Sequence, residues 1–246
     1  TQSKAVSPLS KIMVAPNGAR RTKADHPALP VTIDETVAAA KDCFAAGADA
    51  IHAHVRDESG AHVLDAGMYR ELLKKLQEAV PDMRVQITTE AVGRYGPEEQ
   101  RAVVRDVMPE AASIAVREMC PDVNTDEARE FYKWARESWI VIQHILYSPE
   151  DFELFLKLVA DGVIPGEAHQ LLFVLGRYAN NQESTPDDLK PFLDILERSP
   201  SDLSFDWGVC AFGHQETDCL AYAISKGGKA RIGFENSLWN KNGEVA

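Results

Sequence analysis

The stretch ADAIHAHVRDESG, residues 48–60, sets His52 and His54 on either side of one alanine, with Arg56 two residues further on. In an extended strand alternate residues share a face, so these three side chains point one way. Taken alone, the pattern fits a metal site or a polar strand face. The fold in which the strand sits decides what the face meets.

On both sides of this stretch the chain alternates β-rich runs, polar or Gly/Pro loops, and helical stretches of 10–15 residues. That alternation is the mark of βα units around a parallel sheet. Eight candidate strands follow: KIMVA (11–15), AIHAHV (50–55), RVQITT (84–89), ASIAV (112–116), IVIQHIL (140–146), QLLFVLG (170–176), LSFDWGV (203–209) and KARIGFE (229–235). Helix starts are marked by the Thr32/Glu35 capping-box spacing, by Pro97, and by Thr185 before Pro186; Gly47, Gly162 and Gly227 are helix stops.

Eight such units predict an α/β fold, a (β/α)8 TIM barrel occupying residues 1–246 as one domain, with function on the loops after the strands. Only NSLWNKNGEVA follows the eighth strand, which predicts a short or truncated C-terminal end in place of a closing helix. An open doubly wound sheet is the alternative, but no G-x-G-x-x-G follows the first strand to recommend it.

The formal charge of −12 offers no global basic field for a phosphate backbone, so nucleic acid is excluded as a partner. Arg20, Arg21 and Lys23 form a local basic cluster that suits a small anion, with a solvated loop as the plainer explanation. Four cysteines without a C-x-x-C pair, and no secretory leader pattern, predict reduced thiols in a cytoplasmic protein, with Cys43 in the core. No apolar run approaches the ~20 residues that span a bilayer.

In a barrel, His52 and His54 lie in the C-terminal half of the second strand and face the mouth. Two neutral imidazoles can ligate zinc, and a catalytic site takes a third protein ligand. Glu235, at the end of the eighth strand, can supply it from across the mouth. The plainer explanation, hydrogen-bonded core histidines, has against it the desolvation cost of a His-His-Arg face inside an α/β core.

The segments IHAHVRDESGAHVLDAGMYRELL, APNGARRTKADHPALPVT, QITTEAVG and RIGFENSLW, in order over essentially the whole chain, resemble the β-keto acid cleavage enzymes, of which 3-keto-5-aminohexanoate cleavage is the best-known activity. The resemblance implies a zinc-dependent barrel that reacts a β-keto acid with acetyl-CoA to give acetoacetate and a new acyl-CoA. It places the zinc ligands on His52, His54 and Glu235 and the catalytic arginine on Arg231. The family's serine after the third strand corresponds to Thr88 and its threonine on the fourth to Ser113, the latter a substrate contact. A homo-oligomer, dimer or tetramer, is implied as well, and Trp239 is the exposed apolar residue that suits one.

Two departures bear on chemistry. The family's aspartate after the zinc glutamate is Asn236, which can orient a hydroxyl but cannot take its proton; Glu90 and Glu118 are the strand-end carboxylates that could compensate. Where the member acting on an amino-substituted acid carries an acidic residue in the first loop, this chain has Arg20, which favours an anionic substrate over an ammonium. Arg177, after the sixth strand, is a further candidate anion contact. Two rival functions remain: a zinc hydrolase drawing His144 and His169 into the metal site, and a barrel that binds metal and anion without turnover because of Asn236.

Overall fold

The computed structural model describes residues 8–246. Eight parallel strands close into a barrel in the order β1 (Ile12–Val14), β2 (Ala50–Ala53), β5 (Arg84–Thr88), β6 (Ala111–Ala115), β7 (Val141–Leu146), β8 (Ala168–Leu175), β9 (Ser204–Ala211) and β10 (Lys229–Ile232), with β10 pairing back onto β1. All eight sequence-predicted strands are present. The second is shorter than its pattern, because β2 stops at Ala53. Beyond it, β3 (Val55–Arg56) pairs antiparallel with β4 (His62–Val63), a hairpin standing on the barrel mouth.

Around the barrel run α1 (Ile33–Ala45), α2 (Ala66–Ala79), α3 (Pro97–Val107), the short α4 (Val116–Met119), α5 (Asp126–Glu137), α6 (Pro149–Ala160), α7 (Lys190–Arg198) and α8 (Glu216–Ser225). The starts follow the sequence signals. Thr32 accepts from the Glu35 amide at 3.2 Å, while the Glu35 carboxylate takes the Thr32 amide at 3.1 Å, so two amides lacking helical partners are satisfied reciprocally. Pro97 opens α3, and Pro186 opens a 3-10 turn leading into α7. After β10, residues 233–246 form a turn and an antiparallel bridge between Trp239 and Val245 rather than a helix. No helix among the described residues is long and apolar enough to cross a membrane.

The main core lies between barrel and helices, where Tyr69, Phe131, Phe152 and Phe155 are fully buried. His144 belongs to this layer. Its neighbour Gln143 points into the barrel, so His144 points out, against the rings of Tyr132, Phe155 and His169. The zinc-hydrolase set that recruits His144 and His169 is thereby corrected, for neither faces the mouth. Inside the barrel the upper layer is apolar, with Ala115, Ile145, Leu172, Val174, Cys210 and Phe212 in one cluster. Beside it runs a polar file of Gln86, Gln143 and His52, each at most 2% exposed.

Candidate active site

At the C-terminal mouth, one ligand atom each from His52, His54 and Glu235 falls within 4.8 Å of the others. His52 Nε2 and His54 Nε2 are 3.1 Å apart, and Glu235 oxygens lie 3.3 Å from His54 Nε2 and 3.7 Å from His52 Nε2. The edges of a tetrahedron with zinc-ligand bonds of 2.0–2.1 Å are about 3.4 Å, so the triangle has the size of a zinc site with one corner left for a substrate.

The protons on the imidazoles follow from what surrounds them. Gln143 Nε2 donates to the Leu171 carbonyl at 3.1 Å, leaving Gln143 Oε1 to accept from Gln86 Nε2 at 2.9 Å. Gln86 Oε1 is thus fixed as an acceptor, 2.7 Å from His52 Nδ1. His52 must carry its proton on Nδ1, and Nε2 is bare. Burial, with the Arg231 charge beside it, holds His52 well below the usual histidine range, so the ring is neutral near pH 7. Bare His52 Nε2 and the Glu235 carboxylate present lone pairs to one another, and Glu235 Oε2 has no hydrogen-bond partner. Such a set of acceptors calls for a cation at its centre. Burial by itself pushes the Glu235 carboxyl up, but the permanent charge of Arg231 beside it outweighs this, keeping the group ionised.

The first loop locks this arrangement. Asn17, fully buried, donates from Nδ2 to the His54 carbonyl at 2.9 Å and accepts the His54 amide at 3.3 Å, prolonging β-type pairing beyond the end of β1. Gly18 has φ +63°, and a Cβ there would stand 2.7 Å from Glu235 Cγ; only glycine lets Glu235 approach. Arg56 does not join the metal face expected of it. Its guanidinium binds the carbonyls of Asn17, Gly18, Arg21 and Gly60, stitching loop to hairpin. Arg21 bonds the carbonyls of Phe234 and Asn236 either side of Glu235.

Arg21 and Lys23 are therefore bound to main-chain carbonyls and do not join Arg20 in one anion pocket. Lys23 caps the Leu29 carbonyl and pairs with Glu35, and Arg20, its side chain 58% exposed, stands 4.0 Å from Glu90. Trp239 is half-buried and stacks on His214 at 4.1 Å rather than standing free. Cys43 is partly buried against the core.

A small cleft of about 30 Å³ opens above the His-His-Glu triangle. Thr88, Asn236, Arg231, Glu90, Glu118 and Arg177 line it, against an apolar wall from Ala115 to Phe212. Ser113 does not; it lies two residues below Ala115 on the same face, its hydroxyl buried without a partner. Arg231 is 5% exposed, contacts Cys210 Sγ at 3.4 Å, and leaves Nε and Nη1 unpartnered. Both amide atoms of Asn236 are likewise unpartnered. Thr88 Oγ1 accepts from the Glu90 amide at 3.0 Å, so its own proton is free to donate. Burial raises the Glu118 carboxyl, against the pull of a 2.8 Å bond from Gln100. Sequence patterns give no hint of Gln86, Gln143, Asn17 or His62 as parts of this site, since none belongs to a ligand motif; only the period-2 position of Gln86 and Gln143 on inward strand faces marks them.

The sequence profile of the beta-keto acid cleavage enzymes matches residues 11–246. The 3-keto-5-aminohexanoate cleavage enzyme of Acetoanaerobium sticklandii is 30% identical over 236 residues, covering 93% of this chain and 83% of that one. The 3-oxoadipate:acetyl-CoA acetyltransferase of Cupriavidus necator is 25% identical over 235 residues, covering 92% and 80%. Among solved structures, apo ObcA superposes with TM-score 0.67 at 15% identity, covering 86% of this chain; this chain spans 56% of the length of ObcA. A type I 3-dehydroquinate dehydratase from Clostridium difficile gives TM-score 0.60 at 11% identity, covering 93% and 85%. At these identities the structural matches show the barrel fold alone.

Proposed function

The chain belongs to the beta-keto acid cleavage enzyme family, and on that premise we propose that it is a zinc-dependent enzyme transferring the acyl part of an anionic β-keto acid to CoA. The acid, R–CO–CH2–COO⁻, and acetyl-CoA exchange partners: the CH2–COO⁻ carbon gives up a proton and bonds to the acetyl carbonyl as CoA thiolate leaves it, the thiolate then adds to R–CO, the bond between R–CO and that carbon breaks, and the carbon takes back a proton, giving acetoacetate and R–CO–CoA. The observation that carries this reading is the convergence of His52, His54 and Glu235 ligand atoms within 4.8 Å of one another beside the unpartnered Arg231 donors.

Zinc, when held by His52, His54 and Glu235, supplies a Lewis acid that stabilises negative charge developing on substrate oxygens. Arg231 offers Nε and Nη1 to an oxyanion or the substrate carboxylate; buried and permanently charged, it does so without reorganising. Thr88 donates its hydroxyl proton as a hydrogen bond into the cleft, and the Asn236 amide orients a substrate oxygen or a thioester carbonyl. Neither can accept the proton that leaves the acidic carbon. Glu118 suits that task, because burial raises its proton affinity toward neutrality while leaving it in the cleft wall; the same group returns the proton to acetoacetate.

For the substrate tail, Arg177 lines the cleft and forms no ion pair among the described residues, while exposed Arg20 stands 4.0 Å from the cleft residue Glu90. These cations support a tail bearing a second carboxylate, the charge type of the 3-oxoadipate named for the Cupriavidus relative. The test incubates zinc-loaded protein with acetyl-CoA and neutral, cationic and dicarboxylic β-keto acids, following acetoacetate by mass. Dicarboxylic acids are expected to react fastest, and absence of acetoacetate from every acid would overturn the proposal.

A further inference from the structure

Resting on the reading of His52, His54 and Glu235 as a metal site, we propose that His62 is a positioning residue that fixes the tautomer of His54 and keeps the His54 Nε2 lone pair turned to the metal. His62 sits on β4, outside the barrel, eight positions beyond His54, in no metal motif. Its ring is 4% exposed. The function of the β3–β4 hairpin, on this view, is to deliver that ring.

The polarity of the contacts is forced from one end. His62 Nε2 lies 2.9 Å from the Glu90 main-chain carbonyl, which can only accept, so the His62 proton is on Nε2 and its Nδ1 is bare. That bare Nδ1 stands 3.2 Å from Nδ1 of His54. Two lone pairs facing each other at that distance would repel, so His54 must carry its proton on Nδ1 and donate it. His54 Nε2 is then bare, and it is the atom that faces His52 Nε2 and Glu235. No other acceptor replaces His62, since the Glu90 carboxylate is 4.0 Å from His54 Nδ1, beyond hydrogen-bond reach.

The hairpin holds His62 in place for this task. Arg56, opposite His62 in the β3–β4 register, is anchored to four carbonyls, and Tyr95 meets the His62 ring edge-on at 6.3 Å. A ring so confined offers His54 one acceptor in one direction. Hydrogen-bond partners of metal-binding histidines typically govern affinity by about 10–100-fold.

The experiment measures zinc affinity by chelator competition in the whole chain and its His62→Phe and His62→Gln variants, and the imidazole protons by NMR of the zinc-loaded protein labelled with ¹⁵N-histidine. The wild-type spectrum is expected to show His54 bound through Nε2 with a slowly exchanging Nδ1 proton. His62→Phe should weaken zinc about 10–100-fold and lose the His54 Nδ1 proton signal while that of His52 persists. His62→Gln should recover most of the affinity, because its carbonyl accepts and its amide donates in the order the neighbours require. The proposal is overturned by His54 ligation through Nδ1 in the wild type, by undiminished affinity in His62→Phe, or by a glutamine variant as weak as the phenylalanine one. If the wild type binds no zinc, the metal reading itself fails, before any variant is compared.

Discussion

Replacing Gln86 by leucine separates two consequences of the polar file inside the barrel. Gln86 accepts from His52 Nδ1 at 2.7 Å and donates to Gln143 Oε1 at 2.9 Å. Its loss leaves one buried donor and one buried acceptor unsatisfied. At about 1–3 kcal/mol for each orphaned group, Gln86→Leu should destabilise the fold by about 2–6 kcal/mol. Adding Gln143→Leu removes the second orphan but takes the 3.1 Å donor from the Leu171 carbonyl, so the double variant should be about as unstable as Gln86→Leu alone rather than by the sum of the two single losses, a departure from additivity. Zinc affinity should not follow. His52 lacks its acceptor in both variants, and each should bind about 10–100-fold more weakly than the wild type. Urea unfolding of the metal-free proteins gives the first comparison and chelator competition the second. A double variant destabilised by the full sum of the Gln86→Leu and Gln143→Leu losses, or wild-type zinc affinity in Gln86→Leu, would refute the relay.

Gly18→Ala puts a Cβ 2.7 Å from Glu235 Cγ at φ +63°, so zinc affinity should fall at least tenfold by the same competition assay; unchanged affinity would show that Glu235 does not need this approach. Glu118→Gln should lower kcat by about 10²–10⁴ with zinc content unchanged, and a kcat within a factor of two of wild type would remove Glu118 from proton transfer. Burial raises the Glu216 carboxyl from 4.5 to about 8, so the fold favours the protonated form and stability falls as pH climbs through that window. Glu216→Gln should flatten the decline of the urea midpoint between pH 5 and 8, a difference of at most about 5 kcal/mol; parallel profiles for variant and wild type would refute it.

The barrel was legible because each strand carries its own signal: β-rich runs bounded by loops, and helices opened by Thr32/Glu35 or Pro97. The approach of Glu235 to His52 and His54 was legible for a related reason, since closure pairs β10 with β1 and β1 with β2, bringing the ends of distant strands together. The hairpin was not. Its arms are two residues each, too short for period-2 alternation to register, so residues 54–56 merge into the preceding strand and Arg56 is assigned to the wrong face. The first loop misleads differently: Arg20, Arg21 and Lys23 look like an anion site because sequence shows charges and not the carbonyls that Arg21 and Lys23 bind. His144 illustrates the converse, a histidine whose strand position was right and whose face was wrong by one residue.

The two histidines of the proposed metal site reach the same tautomer by unrelated routes, which argues that the tautomer, rather than either route, is what the fold preserves. For His52 the chain of bonds passes through two amides on β5 and β7 to the Leu171 carbonyl on β8; for His54 it passes through one imidazole on the hairpin to the Glu90 carbonyl. A main-chain carbonyl has no proton to give, so each chain runs in one direction only, whatever the side chains between. The lone pairs at the mouth are thus set by backbone geometry. Burying Gln86, Gln143 and three imidazoles in a barrel would cost several kcal/mol if any link were missing, as each link satisfies the next. That interdependence predicts non-additive stability along each chain, and it also explains how one barrel holds two acceptor nitrogens 3.1 Å apart: their opposite edges are tied down before any cation arrives.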